Sequence, residues 1–512
     1  MQYEADTGML SGRYAAATPE RIALFAATGN RTFRQLHENA NRLARAFRRA
    51  GLAAGDPVAL MCGNRAEFVE TLLACLRTGL RLTPVNWHLA KDEAAYIVAD
   101  CEAKAVVAEA RFAEAIRGAG ERAVMRLSID GAGAGFEPYD AALAREACAD
   151  PEAPELGTIM LYTSGTTGRP KGVYREKAEV IEPQLEGSFA AYDPMRDVNL
   201  CCGPAYHAAP LLFDVRWPLA SGVPIVMLDG WNSEGVLEAI ARHRVTHAHM
   251  VPIMFQRLLS LPADVRGRYD PSSLRVIFHG AAPCPAEVKR AMIAWLGPIL
   301  HEYYAASEGG AGIHITAEEW LRKPGSVGKR PDGDMVRILD AAGAPVRAGQ
   351  AGDIYMKVSE NPFSYFKAPD KTEAQHKDGY FTLGDVGYFD DDGYLFLTGR
   401  TAECIISGGV NIYPREIDDV LLQHPSVADV CTVGVPNDEW GEEVRAVVQL
   451  KPGVAAGAAT ASAIIAFARD RLSGFKCPRV IDFVDELPRL PSGKVQRGRV
   501  RAPYWAGRER AI

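Results

Sequence analysis

No Cys-x-x-Cys pair occurs among the ten cysteines of this sequence, and only Cys201 and Cys202 are close neighbours. That argues against a zinc site built on paired thiolates and against a disulfide framework. A reducing, cytoplasmic setting fits best, with Cys201 and Cys202 packed as small apolar residues. Long apolar runs are missing too. Nowhere do about 18 consecutive apolar residues occur, the least that a membrane-crossing helix needs. The first nineteen residues lack a basic region followed by an apolar run, so no secretory signal is expected. Positive charge is not in excess: the formal net charge is −7 and there is no basic tail, which argues against nucleic acid as a partner. Internal repeats and long disordered segments are absent as well.

What remains is the composition of an ordinary globular enzyme, 48% hydrophobic and 24% charged. At 512 residues the chain is too long for one compact core, so two or more domains are expected.

The most informative stretch is Tyr162-Thr163-Ser164-Gly165-Thr166-Thr167-Gly168-Arg169-Pro170-Lys171-Gly172-Val173. The apolar run at 158–162 leads in and reads as a short buried strand. From Thr163 to Gly172 there are three glycines, four hydroxyl residues and one lysine. Glycines let backbone N–H groups approach a phosphate closely. The hydroxyls of Thr163, Ser164, Thr166 and Thr167 can donate to phosphate oxygens, and Lys171 adds a point charge. The spacing is not that of the Walker loop, because no Gly-Lys-Ser/Thr follows.

Around this loop the chain alternates helix and strand. Thr32 and Gln35 form a capping-box pattern. Apolar positions then fall on one helical face up to Phe47, and Gly51 closes the helix. Strands are expected at 57–62, 80–85 and 103–108, with helices at 67–77 and 92–100. That rhythm predicts a parallel sheet covered by helices. A second α/β stretch spans about 199–304, with strands near 200–202, 224–228, 248–252 and 275–278 and helices near 233–243 and 285–296. From about 325 to 399, short apolar runs separated by Asp-Gly and Ala-Gly turns predict an antiparallel, barrel-like module. After Gly399-Arg400 a new α+β unit begins, with helices at 414–423 and 462–472 and strands at 427–433, 444–450 and 480–484. The fold expected is therefore α/β. It has a large N-terminal domain, 1–399, of two parallel-sheet subdomains plus the antiparallel module. A small α+β C-terminal domain, 400–512, follows a hinge.

Six further motifs accompany the phosphate loop: Pro204-Ala-Tyr-His207-Ala-Ala-Pro210, Gly280-Ala281-Ala282-Pro283, Tyr304-Ala-Ala-Ser307-Glu308, Leu383-Gly384-Asp385, Gly399-Arg400-Thr-Ala-Glu403 with Ser407-Gly408-Gly409, and Leu487-Pro488-Arg489-Leu490-Pro491-Ser492-Gly493-Lys494. Their kinds and order resemble those of the adenylate-forming enzymes, the superfamily of acyl-CoA synthetases, peptide-synthetase adenylation domains and luciferases. The resemblance covers nearly the whole chain.

The resemblance implies ATP, Mg²⁺ and coenzyme A as cofactors and a small-molecule carboxylic acid as substrate. Thr163, Ser164, Gly165, Thr166, Thr167, Gly168 and Lys171 would hold the polyphosphate. Gly280, Ala281, Ala282 and Pro283 would border adenine and substrate, Tyr304 would stack on adenine, and Ser307 completes that motif. Asp385 and Arg400 would hold the ribose, Arg400 reaching phosphate oxygens with its planar fork as well. Glu308 would bind Mg²⁺, and Lys494 would meet carboxylate and α-phosphate in the adenylation transition state. Lys494, Glu308, Thr163 and His207 are thus the implied catalytic set, with His207 as an acyl-pocket residue. Gly408, Gly409 and Lys476 are candidates for the CoA side. His243, His247 and His249 span a helix end and a strand start and are not read as a metal site. Asp214, in Phe213-Asp214-Val215, is read as a helix start. Residues 207–217 and 280–303 are expected to line the acyl pocket.

Ala305 stands where the family has glycine, Ser307 where it has threonine, and Glu403 where a hinge aspartate is usual. The reaction implied is ATP-dependent acid–CoA ligation through an acyl-adenylate, the acid being alkyl, alicyclic or aryl. The alternative is an adenylation enzyme that serves a separate carrier protein. Oligomeric state is left open, with a dimer among the options.

Overall fold

A computed structural model describes residues 2–133, 135–163, 170–331, 333–407, 410–437, 440–490 and 493–506. The first expected sheet is there and is parallel throughout. Its six strands run, in space, Glu137–Pro138, Met125–Ile129, Ala105–Glu109, Pro57–Met61, Arg81–Pro84 and Thr158–Ile159. Helix Phe33–Arg49 packs over it through helix Ala66–Leu76. Helix Phe33–Arg49 starts where Thr32 Oγ1 accepts from the Gln35 N–H and Gln35 Oε1 accepts from the Thr32 N–H, the reciprocal capping box. Helix Ala66–Leu76 packs against it and is buried on every side, so Arg77 at its end is buried too.

The second sheet has eight strands, in the order Gly309–Thr316, Leu300–Ala306, Val276–His279, His247–Met250, Asn199–Cys201, Ile225–Met227, Ile22–Ala26 and Arg31–Thr32. The strand Ile22–Ala26 is a finding beyond the sequence reading. It leaves the N-terminal segment to pair in parallel with Ile225–Met227, a partner about two hundred residues away. Five apolar residues carry no period that distinguishes such a strand from a buried helix turn.

The antiparallel module forms as expected from Ser326–Lys329, Tyr394–Arg400, Tyr380–Phe389, Gly352–Lys357 and Val336–Leu339. It shares a core with the small sheet Phe363–Tyr365, Lys171–Arg175 and Leu161–Thr163. After Arg400 the chain builds a five-stranded sheet around the hairpin Val427–Asn437 and Gly441–Leu450, covered by helices Pro414–Leu421 and Ala458–Arg469. No helix among the described residues is long and apolar enough to cross a membrane.

The reading of Asp214 is corrected. It lies inside a wide π-type helical turn, Pro210–Arg216, and is fully buried. Its Oδ1 accepts from the His249 N–H at 3.0 Å and from Asn199 Nδ2 at 3.2 Å. Burial pushes its carboxyl well above the usual carboxylate range. The Pro at the first helical position, not Asp214, starts the turn.

One buried ion pair ties the second sheet to its covering helix. Lys289, on helix Ala286–Leu296, donates to Glu302 Oε2 at 2.7 Å and stands 4.9 Å over the Trp320 ring. Removing one partner of such a pair leaves an uncompensated charge in the core. Lys289→Met is expected to cost about 3–5 kcal/mol in a urea titration. Lys289→Met with Glu302→Gln together is expected to recover most of it. An equal loss in the double variant would show that packing, not charge, carries the cost.

Candidate active site

Three neighbouring parallel strands end at one place. His247–Met250 runs into Val251-Pro252-Ile253, Val276–His279 into Gly280-Ala281-Ala282-Pro283, and Leu300–Ala306 ends with Tyr303 to Ala306. All these end residues line a cavity of about 250 Å³. Ligand crevices of open α/β sheets lie at such carboxyl ends. The turn at 280 is tight: a Cβ on Gly280 would stand 2.8 Å from both Tyr303 Cζ and the Tyr303 carbonyl oxygen. Ala281 follows at φ +64°, a left-handed conformation costly for a residue with a Cβ.

The antiparallel module supplies the second wall. Asp385 and Arg400 face each other across the hairpin Tyr380–Phe389 and Tyr394–Arg400. Arg400 Nε donates to Asp385 Oδ1 at 2.7 Å, and the Tyr304 hydroxyl donates to Asp385 Oδ2 at 2.8 Å. One carboxylate thus fixes a tyrosine ring and a guanidinium on opposite sides. Burial, and then Asp385, pushes the Tyr304 phenol well up. Its ring remains a neutral, flat surface in the cavity wall.

The third wall comes from the C-terminal unit. Residues 488–490 and 493–496 pair antiparallel as the two arms of a hairpin, the Leu490 N–H donating to the Lys494 carbonyl at 2.8 Å and the Gln496 N–H to the Pro488 carbonyl at 2.8 Å. Arg489 steadies it, donating to the Gly493 carbonyl at 2.5 Å and pairing with Asp429. Gly493, at φ +82°, sits so close to Ile253 that a side chain there would overlap Ile253 Cγ2. Lys494 thereby lines the cavity with Asp385 and Arg400. Burial, and then the Arg400 charge, lowers the Lys494 ammonium from its ordinary value, while Glu403, Asp385 and Glu308 oppose that shift.

Glu308 follows the strand that carries Tyr304 and is mostly buried. Its Oε1 accepts from the Tyr365 hydroxyl at 3.0 Å, and among the described residues no hydrogen bond reaches Oε2. A carboxylate with one oxygen held and one open fits a hard divalent cation such as Mg²⁺. The Ser307 carbonyl accepts from Arg175, whose Nη2 also donates to the Glu308 carbonyl at 2.7 Å. Thr163 lies opposite Lys171 in the small sheet, so the two ends of the phosphate loop are paired. Ser164, Gly165, Thr166, Thr167, Gly168, Gly408 and Gly409 lie outside the described residues.

Other expected residues sit elsewhere. His207 does not line this cavity. It packs against Tyr206, with ring centres 4.6 Å apart, and burial lowers it to about 4, so it is neutral at pH 7. Phe213, in the π-type turn, and Trp217, which starts the α-helix after it, belong to an aromatic layer with Phe278, Phe189 and Tyr303. Of the expected acyl-pocket stretches, the 280–283 turn, Pro285, Glu302 and Tyr303 line the cavity, and no residue of 207–217 does. Lys476 lies away from it and pairs with Glu416 at 2.7 Å. His247 bonds the Ala190 carbonyl and Thr246, while His249 bonds the Tyr303 hydroxyl at 2.9 Å. The sequence reading missed Tyr365, Arg175 and Arg497. Arg497 joins Glu403 at 3.1 Å to Asp418 at 2.8 Å.

Two family profiles match this chain: AMP-binding enzyme over residues 12–363, and AMP-binding enzyme C-terminal domain over residues 416–494. The chain belongs to the AMP-binding enzyme family. It is 30% identical to an indoleacetate–CoA ligase of Aromatoleum aromaticum over 96% of each protein. It is 29% identical to ScoC, a fatty acid–[acyl-carrier-protein] ligase of Streptomyces coeruleorubidus, over 94% of this chain and 93% of that one. Among solved structures it is similar to ATP-bound MatB from Rhodopseudomonas palustris. There the TM-score is 0.82 at 29% identity, covering 97% of this chain and 99% of that one. CoA ligases of this family use ATP, Mg²⁺ and coenzyme A.

Asp385 is the residue on which both Tyr304 and Arg400 rest. Asp385→Asn is expected to raise the KM for ATP about 10- to 100-fold, the scale of lost hydrogen bonds to a charged group, with a smaller change in kcat. Steady-state pyrophosphate release measures both. An unchanged ATP KM would remove Asp385 from the nucleotide site.

Proposed function

We propose that this enzyme joins a carboxylic acid to coenzyme A in two steps, the acid being alkyl, alicyclic or aryl. The observation that carries this reading is the Lys494 hairpin seated in the cavity beside Asp385 and Arg400, within electrostatic reach of Glu308. In the first step a carboxylate oxygen attacks the α-phosphorus of ATP. The bond to the bridging oxygen breaks and pyrophosphate leaves with its electron pair. Negative charge gathers where two anions meet, so the residues that matter are cations and donors. Lys494 is the ammonium at that point, and Arg400 and Asp385 orient the nucleoside. Tyr304 and the Gly280-Ala281-Ala282-Pro283 turn flank the base. Thr163, Lys171 and the loop between them hold the polyphosphate. Glu308 would hold Mg²⁺, which supplies neutralisation of phosphate charge.

In the second step the CoA sulfur attacks the acyl carbon, the thiol proton is lost, and AMP leaves. Lys494 has no part in that step. Before it, the unit beyond Arg400 turns about the short helical turn Thr401–Glu403, withdrawing its hairpin; Gly408, Gly409 and Lys476 are the candidates for the CoA side of the turned pose. The boundary near residue 400 belongs to this reading. The likeness to ScoC keeps a carrier-protein thiol as the second reading of the acceptor. Thiol-dependent AMP release with CoA distinguishes the two.

Single-turnover assay of each half-reaction tests the division of labour. Lys494→Ala is expected to slow acyl-adenylate formation by about 10²-fold or more, the scale of one lost transition-state charge contact, while thioester formation from supplied acyl-adenylate stays nearly intact. Equal loss in both halves, with the protein still folded, would contradict the two-pose mechanism. Glu308→Gln is expected to lower turnover at limiting Mg²⁺ by about 10²–10³-fold, and unchanged turnover there would remove Glu308 from the site.

A further inference from the structure

Two oppositely charged side chains of this site flank one tyrosine. Tyr365 ends the strand Phe363–Tyr365, which pairs antiparallel with Lys171–Arg175 and sets Tyr365 opposite Val173. The residue is buried in the core shared by the small sheet and the antiparallel module, and its ring meets Phe363 edge-on at 5.4 Å. From there its hydroxyl donates to Glu308 Oε1 at 3.0 Å, while Lys171 Nζ stands 4.7 Å from the centre of its ring. Lys171 and Glu308 are close enough to feel each other's charge, yet they form no direct ion pair.

That separation needs a cause, because a lysine and a carboxylate this close attract. A closed pair between them would occupy the lysine meant for polyphosphate and the carboxylate meant for the cation. A cation–π contact and a hydrogen bond from a neutral hydroxyl give each group a partner without joining the two charges. Both contacts are weaker than a charge-to-charge hydrogen bond and yield more readily to an incoming phosphate or cation. The Tyr365 backbone is fixed by strand pairing, so its ring cannot swing out of the gap as a loop residue could.

We propose that Tyr365 is a positioning residue that holds Lys171 and Glu308 apart, keeping the phosphate-binding lysine and the cation-binding carboxylate open until Mg²⁺·ATP enters. This rests on the roles given above to Lys171 and Glu308. It assigns to Tyr365 two separable parts: the hydroxyl orients Glu308, and the ring keeps Lys171 from closing on it.

The test measures Mn²⁺ binding by electron paramagnetic resonance on the full-length protein saturated with α,β-methylene-ATP, with nucleotide affinity measured separately without metal. Tyr365→Phe keeps the ring and loses the hydroxyl. It is expected to weaken Mn²⁺ binding about 3- to 10-fold, the scale of one hydrogen bond, and to leave metal-free nucleotide affinity unchanged. Tyr365→Leu removes both parts and is expected to weaken Mn²⁺ and nucleotide together, Mn²⁺ by more than in Tyr365→Phe. Adding Lys171→Met to Tyr365→Leu is expected to restore Mn²⁺ affinity at least about threefold, because the competing ammonium is gone. Lys171→Met alone should not strengthen Mn²⁺ binding. The proposal is overturned if Tyr365→Phe binds Mn²⁺ as the parent does, or if Lys171→Met weakens Mn²⁺ further in the Tyr365→Leu background. Glu308→Gln separates the two levels. If it leaves Mn²⁺ affinity unchanged, the cation site itself is misassigned and the proposal falls with it. If it weakens binding while the Tyr365 series stays flat, only the role of Tyr365 falls. Thermal midpoints for each variant, with Tyr365→Phe as the mildest change, show that binding rather than folding has moved.

Discussion

Everything at this site depends on a hairpin that reaches from the unit beyond Arg400 to the end of the second sheet. Gly493 lies flat against Ile253, and only the absence of a side chain lets the backbone come that close. The approach carries Lys494 past the sheet end to the place where Asp385 and Arg400 already stand. Without it, the cavity has a base-sized floor and a polar wall but no ammonium. The left-handed φ of Gly493 and the Arg489 contact to its carbonyl therefore set where the lysine stands.

Bringing a cation into a buried cleft has an electrostatic cost, visible in the lowered position of the Lys494 ammonium. The chain offsets it with carboxylates from three segments: Asp385 from the antiparallel module, Glu403 from the turn after Arg400, and Glu308 from the link between two strands of the second sheet. None of these closes on Lys494 as an ion pair. Asp385 is held by Tyr304 and Arg400, Glu403 by Arg497, and Glu308 by Tyr365. The same arrangement recurs at each charge. Each carboxylate has a partner of its own other than Lys494.

Much of this was legible in the sequence, and the reasons differ by element. The first sheet was legible because its strands and helices alternate with clean periods and end at Gly51 and Gly79. The turn at 280–283, Asp385, Arg400 and Lys494 were legible through motif resemblance, and they do meet around one cavity. Strand Ile22–Ala26 was not, because its partner is set by tertiary pairing rather than by local pattern. Asp214 was misread because an aspartate near a helix usually caps it, whereas here the wide turn buries it against Asn199 and His249. Phe213 and Trp217 look like pocket residues by type, but the direction of side chains on and just after a π-type turn cannot be read from spacing. Tyr365 escaped notice because a tyrosine in a short strand is most often core, and only geometry shows which charges stand on its two sides.

The central claim is that this seated pose serves adenylate formation and must be left before thioester formation. The direct measurement is to lock it. A Cβ at residue 493 would stand 3.6 Å from the Ile253 Cβ, within the range that a disulfide spans. Ile253→Cys with Gly493→Cys, oxidised, is expected to keep ATP–pyrophosphate exchange with the acid while losing thioester formation with CoA, and to regain the latter on reduction. An oxidised protein that still forms the thioester at the reduced protein's rate would contradict the account.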